Sequence, residues 1–135
     1  MRLALAAMIC LASPLGLACS DGPTAPGNPI TPGVWGGRGI QLTVTSAGAT
    51  ADYGCDIGSI SEPLVLDQSR FSAIGTYTYS ASLSGREEKP HPARYEGTVN
   101  DTTMELTVYL VDLSRTVGPF QLALGRPPVL ARCSA

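Results

Sequence analysis

Charge is scarce in this chain of 135 residues: Asp, Glu, Lys and Arg together make up 15% of it, and the net charge is −2. No basic field exists to hold a phosphate backbone, which excludes nucleic acid as a partner. Histidine is scarcer still, with His91 alone, set between Pro90 and Pro92 in a polar stretch. A catalytic histidine needs a partner within hydrogen-bond reach, and the sequence points to none, so His91 reads as a solvated loop residue. Glu87-Glu88-Lys89 reads as a solvated tip in the same way. The chain also lacks Gly-x-Ser-x-Gly, Gly-x-Gly-x-x-Gly and Gly-Lys-Ser/Thr motifs, which removes the usual nucleophile elbow and phosphate cradles. Its cysteines and single histidine do not have the spacing of a zinc site. No catalytic residue, metal or cofactor is therefore expected, and the chain does not read as an enzyme. Long apolar runs are absent too. The longest near the start, Leu3 to Leu11, is too short to cross a bilayer as a helix.

Turn-forming residues, by contrast, are plentiful, with 15 glycines and 11 prolines. Such a dose of breakers suits short strands and suits helices poorly. The clearest pattern runs from Arg94 to Asp112. Tyr95, Gly97 and Val99 share one face of the first arm, and Met104, Leu106, Val108 and Leu110 one face of the second. A period of two requires a pleated strand, so the two arms predict a β-hairpin. An even-numbered loop keeps both apolar sets on the same side. A two-residue Asn100-Asp101 loop would set Glu96 against Glu105, and like charges directly opposite repel. A four-residue loop, Asn100 to Thr103, sets Glu96 against Thr107 and Thr98 against Glu105, and is the better solution.

Further alternation marks the other strands. Ile40, Leu42 and Val44 form one buried face, and Ala49, Ala51, Tyr53 and Cys55 a second. Short strands are expected over 59–62, 71–73 and 75–82, the last with Tyr77 and Tyr79 on one face. An apolar patch covers Leu64 to Leu66. Phe120, Leu122 and Leu124 alternate, and Gly125-Arg126-Pro127-Pro128 turns the chain into a last strand, Val129 to Cys133. The glycines around Trp35 suggest a bulge or tight bend. Sequential antiparallel strands with short links make a meander, and closure removes its exposed edges. The expected fold is all-β: an antiparallel up-and-down meander of about eight strands, closed or nearly closed into a small barrel over residues 33–135.

The amino terminus predicts export. Arg2, the apolar run and the small residues that follow fit a secretory signal peptide over residues 1–18. Its removal takes away Arg2 alone among the charges and leaves 8 basic against 11 acidic residues. Leu15-Gly16-Leu17-Ala18-Cys19-Ser20 resembles the lipobox of bacterial lipoproteins, with Gly16 where that family usually has Leu. The resemblance implies acylation of Cys19, while Gly16 and Ala18 also fit ordinary cleavage after Ala18. Loss of Cys10 with the signal leaves Cys19, Cys55 and Cys133. An odd cysteine in an exported chain needs an explanation, and acylation supplies one. Cys55 and Cys133 then pair by default, closing a loop of about 79 residues worth about 4–5 kcal/mol by loop entropy. Residues 19–32 carry Pro23, Pro26, Pro29 and Pro32 at a spacing of three. Polyproline II has three residues per turn, so residues 20–32 could form an extended spacer of about 40 Å, or a disordered segment. By the same resemblance, Ser20 implies the outer membrane, facing the periplasm or outside.

Gly33-Val34-Trp35 ahead of a meander resembles the Gly-x-Trp of lipocalins and other calycins. That resemblance implies a Trp plugging one end of a barrel with a late basic residue, Arg126 or Arg132, packed over it. The whole chain also resembles small bacterial lipoproteins with the pattern Trp35-Gly36-Gly37, Cys55, Pro92-Ala93-Arg94-Tyr95, Gly97, Cys133, a group that carries no known activity. Trp35, Tyr77, Tyr79 and Tyr95, with Tyr53, are the candidate ligand or partner contacts, although aromatics on strands also fill cores. Arg94 could grip an anion or pair with a glutamate across strands. The expected role is a binding or interaction module at the bacterial cell envelope, held to the membrane by its lipid and contacting an envelope protein or a small apolar ligand. The alternative is an envelope inhibitor of a hydrolase, since small barrel-shaped lipoproteins that block lysozyme look broadly similar, with Ser84 to Pro92 as the inserting loop.

Overall fold

The structure, a computed structural model, describes residues 27–80 and 89–133. The expected signal peptide, Cys19, the first part of the expected tether and most of the Ser84–Pro92 loop lie outside the described residues. Ten strands follow one another: β1 (Asn28–Pro29), β2 (Gly33–Gly37), β3 (Ile40–Val44), β4 (Ala49–Asp52), β5 (Ile57–Ile60), β6 (Val65–Leu66), β7 (Arg70–Thr78), β8 (His91–Asn100), β9 (Thr103–Leu110) and β10 (Arg115–Leu124). Eight of them form an antiparallel meander in the order β2, β3, β4, β5, β7, β8, β9, β10. Pairing of β10 with β2 closes it into a barrel. Closure pairs the two end strands of the meander with each other, so the barrel has no open edge.

The hairpin of β8 and β9 has the register that charge avoidance requires. Glu96 faces Thr107, Thr98 faces Glu105, and Val99 faces Met104. The ladder runs one pair further than expected, to Asn100 and Thr103, so the turn tightens to Asp101-Thr102. Asp101 takes a left-handed φ of 63° there, a conformation Asp tolerates better than most residues. The inward sets fill the lumen. Trp35, Ile40, Leu42, Tyr95, Met104, Leu106, Val108, Leu110 and Leu122 are all fully buried, and no polar or charged residue is classed as buried among the described residues. Eight strands leave an interior just wide enough for side chains to fill. Gly58 and Gly75 make that fit possible: a Cβ on Gly58 would run into the Tyr95 hydroxyl, and one on Gly75 into the Ser59 carbonyl.

Several expected boundaries move. The strands expected over 71–73 and 75–82 are one strand, β7, because Gly75 is a point of close packing rather than a break. The strand expected over 59–62 sits at Ile57–Ile60. The second expected strand stops at Asp52 because the Asp52 carboxylate accepts the Gly54 N–H and Gly54 turns at φ 94°. The patch Leu64 to Leu66 contributes β6, which pairs outside the barrel with β1. The folded unit therefore includes residues ahead of Gly33: Ile30 is buried and bonds to Leu64, and the Trp35 indole donates to the Thr31 carbonyl at 3.0 Å. His91, expected in a loop, begins β8 opposite Tyr77.

The segment expected as a last strand, Val129 to Cys133, makes one parallel bridge, between Arg38 and Val129. It leaves β10 at Gly125 and runs along the outer wall back toward the β2–β3 turn, where Gly39 and Gly37 bond to Val129. This path, not a bulge, accounts for Gly36, because any Cβ there would run into the Arg126 carbonyl. A disulfide joins Cys133 to Cys55, with Cα atoms 5.1 Å apart. Arg126 and Arg132, expected over Trp35, are both exposed, and the arginines that lie over rings among the described residues are Arg94 and Arg115.

Candidate functional site

The antiparallel order gives the barrel two distinct ends. At one, the tether end, β1 and β6 close over Ile30 and Leu64, where the expected tether would lead into β2. At the other, the far end, lie the links β2–β3, β4–β5, β7–β8 and β9–β10. Continuing the inward faces of β4, β7, β8 and β10 to the far end brings Tyr53, Tyr77, Tyr79, His91, Arg115 and Phe120 together. Tyr53 packs against Tyr77 with ring centroids 4.9 Å apart and against Phe120 at 5.7 Å. Tyr79 meets Tyr77 edge-on at 5.2 Å and His91 edge-on at 5.6 Å. Edge-to-face and tilted rings at these distances are the favoured aromatic geometry.

Polar groups decorate this plug. The Tyr77 hydroxyl donates to Asp56 at 2.7 Å, and the Ser80 N–H to the other oxygen of the same carboxylate at 2.9 Å. His91 Nδ1 lies 2.8 Å from the Asp112 carboxylate. Arg115 Nη1 donates to the Tyr79 hydroxyl at 2.9 Å, with the guanidinium over the same ring. Strands β7 and β10 are separated in the sheet by β8 and β9. The contact between Tyr79 and Arg115 therefore reaches across the mouth, and only a curled sheet permits it.

Burial holds three phenols neutral. It pushes the Tyr95 hydroxyl up to about 12 and raises Tyr77 and Tyr53 further, with Asp56 adding to the effect on Tyr77. The Tyr95 hydroxyl donates to the Thr76 carbonyl at 2.6 Å. The Tyr53 hydroxyl is buried and makes no hydrogen bond; Tyr95 is near enough to influence it but not in bonding geometry.

Of the five contacts expected from sequence, the structure brings Tyr77 and Tyr79 together at the far end. Tyr95 lies beneath them in the core. Trp35 is buried toward the tether end. Arg94 stands on the outer wall, over the Tyr109 ring opposite it on β9 and paired with Glu96. Its glutamate is thus two residues along the same strand rather than across strands, because the cross-strand position holds Tyr109. Asp56, Asp112 and Arg115 were not singled out in the sequence. Each lies in a turn or at a strand end, where alternation says nothing about direction. An apolar concavity of about 380 Å³ also lies at the tether end, lined by Pro29, Ile30, Pro32, Pro63 and Leu64. Among the described residues no group of three or more His, Cys, Asp or Glu could hold a metal ion, and no helix is long and apolar enough to cross a membrane. Comparison of the chain with protein-family models, curated proteins and solved structures finds no match in any of the three.

Proposed function

We propose that this protein is an exported, membrane-anchored barrel that serves as a binding or interaction module at the bacterial cell envelope, with the far end as its working face. One observation carries the reading: residues 27–32 lead into the barrel at one end, and half-buried aromatic rings with charged groups gather at the other. A lipid on Cys19 would leave the far end free to meet a partner. The Cys55–Cys133 cross-link supports an oxidising compartment, and the lipobox-like residues around Cys19 support anchoring, with Ser20 favouring the outer membrane. The test is photo-crosslinking in cells that make the protein. A crosslinker at Leu113, in the far-end turn, should give a discrete high-mass adduct, and one at Asp101, in the opposite turn, should not. No adduct at Leu113, or equal adducts from both positions, overturns the reading.

The second reading is an envelope inhibitor of a hydrolase such as lysozyme. It is favoured by the β7–β8 connection, which springs from the same end. Lysozyme assayed with and without the domain decides it: loss of turnover at stoichiometric domain supports inhibition, and unchanged turnover removes lysozyme as the target.

A further inference from the structure

We infer that the far end takes an acidic, partly apolar peptide segment of a partner protein, with a carboxylate on Arg115 and apolar side chains on Val111 and Leu113. This rests on the far end being the working face. Among the described residues the acids of this end each have a hydrogen-bond partner: Asp52 in the Gly54 N–H, Asp56 in Tyr77 and Ser80, and Asp112 in His91. Arg115 differs: among the described residues it has no carboxylate within ion-pair distance, and its one side-chain hydrogen bond goes to the neutral Tyr79 hydroxyl.

A guanidinium carries five N–H donors in a rigid fork that matches a carboxylate. Tyr79 holds this fork from one side, so little freedom remains to be lost on binding. The outer wall supplies the contrast. Arg94 lies over Tyr109 in the same way, but its guanidinium is neutralised by Glu96. Beside Arg115, in the β9–β10 turn, Val111 and Leu113 are 57% and 45% exposed. Tyrosine and arginine are the residues in which protein-binding hot spots are enriched, and the exposed Val111 and Leu113 add apolar area beside them. A phosphate backbone would need several cations in a track, and a lone small anion would make no use of the apolar flank.

The test uses the full chain with its disulfide intact, followed by amide NMR. The probes are the peptide acetyl-Leu-Glu-Glu-Leu-amide and its Gln-Gln counterpart. The Glu peptide should shift the amides of Val111 to Thr116 and of Tyr79, binding about fivefold to tenfold tighter than the Gln peptide. R115Q should erase that difference, and R115K, which keeps charge but loses the fork, should retain part of it. Spectra unchanged away from the turn verify the fold of each variant. Equal binding of both peptides at this turn overturns the acidic preference while leaving the far end as the binding face. Shifts centred on the Asp101 turn, no shifts, or the full response produced by inorganic phosphate alone also overturn it. The working-face reading is judged separately, by the adducts from Leu113 and Asp101.

Discussion

Individual side chains at the far end set how the protein should respond to pH and to small substitutions. Tyr95 sits at about 12 in the folded chain against an ordinary 10.0, and Tyr77 and Tyr53 stand higher. The folded state thus holds these protons more tightly than the unfolded one. The stability they contribute is complete below pH 10 and is lost as pH rises from 10 toward 12, by roughly 2–3 kcal/mol for Tyr95 alone. Thermal melts across that range should show the loss, and Y77F should reduce it. At neutral pH the two buried tyrosines of the plug should differ in sign. Y77F forfeits a hydrogen bond to a carboxylate and should cost about 1.5–3 kcal/mol, whereas Y53F removes a buried hydroxyl without a partner and should be neutral or stabilising by about 1 kcal/mol. Melting temperatures of the two variants check the contrast. This site was half legible in the sequence. Alternation put Tyr77 and Tyr79 on one face, but nothing local could reveal that Arg115 and Asp112 reach the same place, because closure of the sheet brings them there. His91 was misread for a related reason. Its flanking prolines suggested a loop, yet it begins β8, and Asp112, 21 residues away, gives it a partner.

At the level of elements, the strands most visible in the sequence were those with one face in the lumen. The period of two located β3, β9 and the Phe120–Leu124 half of β10, while Arg115 and Thr116, which read as a turn, begin that strand; the need to keep Glu96 away from Glu105 selected the register of the central hairpin. Boundaries failed where a contact distant in sequence decides the outcome: Gly75 beside Ser59, and Leu64 to Leu66 beside the incoming tether. The Asp101-Thr102 turn offers a direct check. D101G keeps the positive φ and should leave stability within about 0.5 kcal/mol, and D101V, β-branched in a left-handed position, should cost about 1–2 kcal/mol. The carboxyl-terminal segment offers another. Its hold on the outer wall depends on Gly36 and on the disulfide, so reduction, or C55S with C133S, should lower the melting temperature on the order of 10 °C. An unchanged melting temperature after reduction would show that the cross-link adds nothing to stability.

For the whole molecule, fold and candidate site stand or fall together. Tyr53 follows β4 and Phe120 belongs to β10, and neither strand neighbours the other around the barrel. Their rings meet because the sheet closes and both point into the same mouth. Closure gives the chain a tether end and a far end, and on that division rests the reading of an anchored module with one working face. The most direct measurement is the nuclear Overhauser contact between the ring protons of Tyr53 and Phe120 in the disulfide-intact protein. The account predicts clear cross-peaks between them, together with cross-peaks between the Tyr79 ring and the Arg115 side chain. Resolved ring signals with neither contact would mean an open sheet, and would contradict both the barrel and the site built across its mouth.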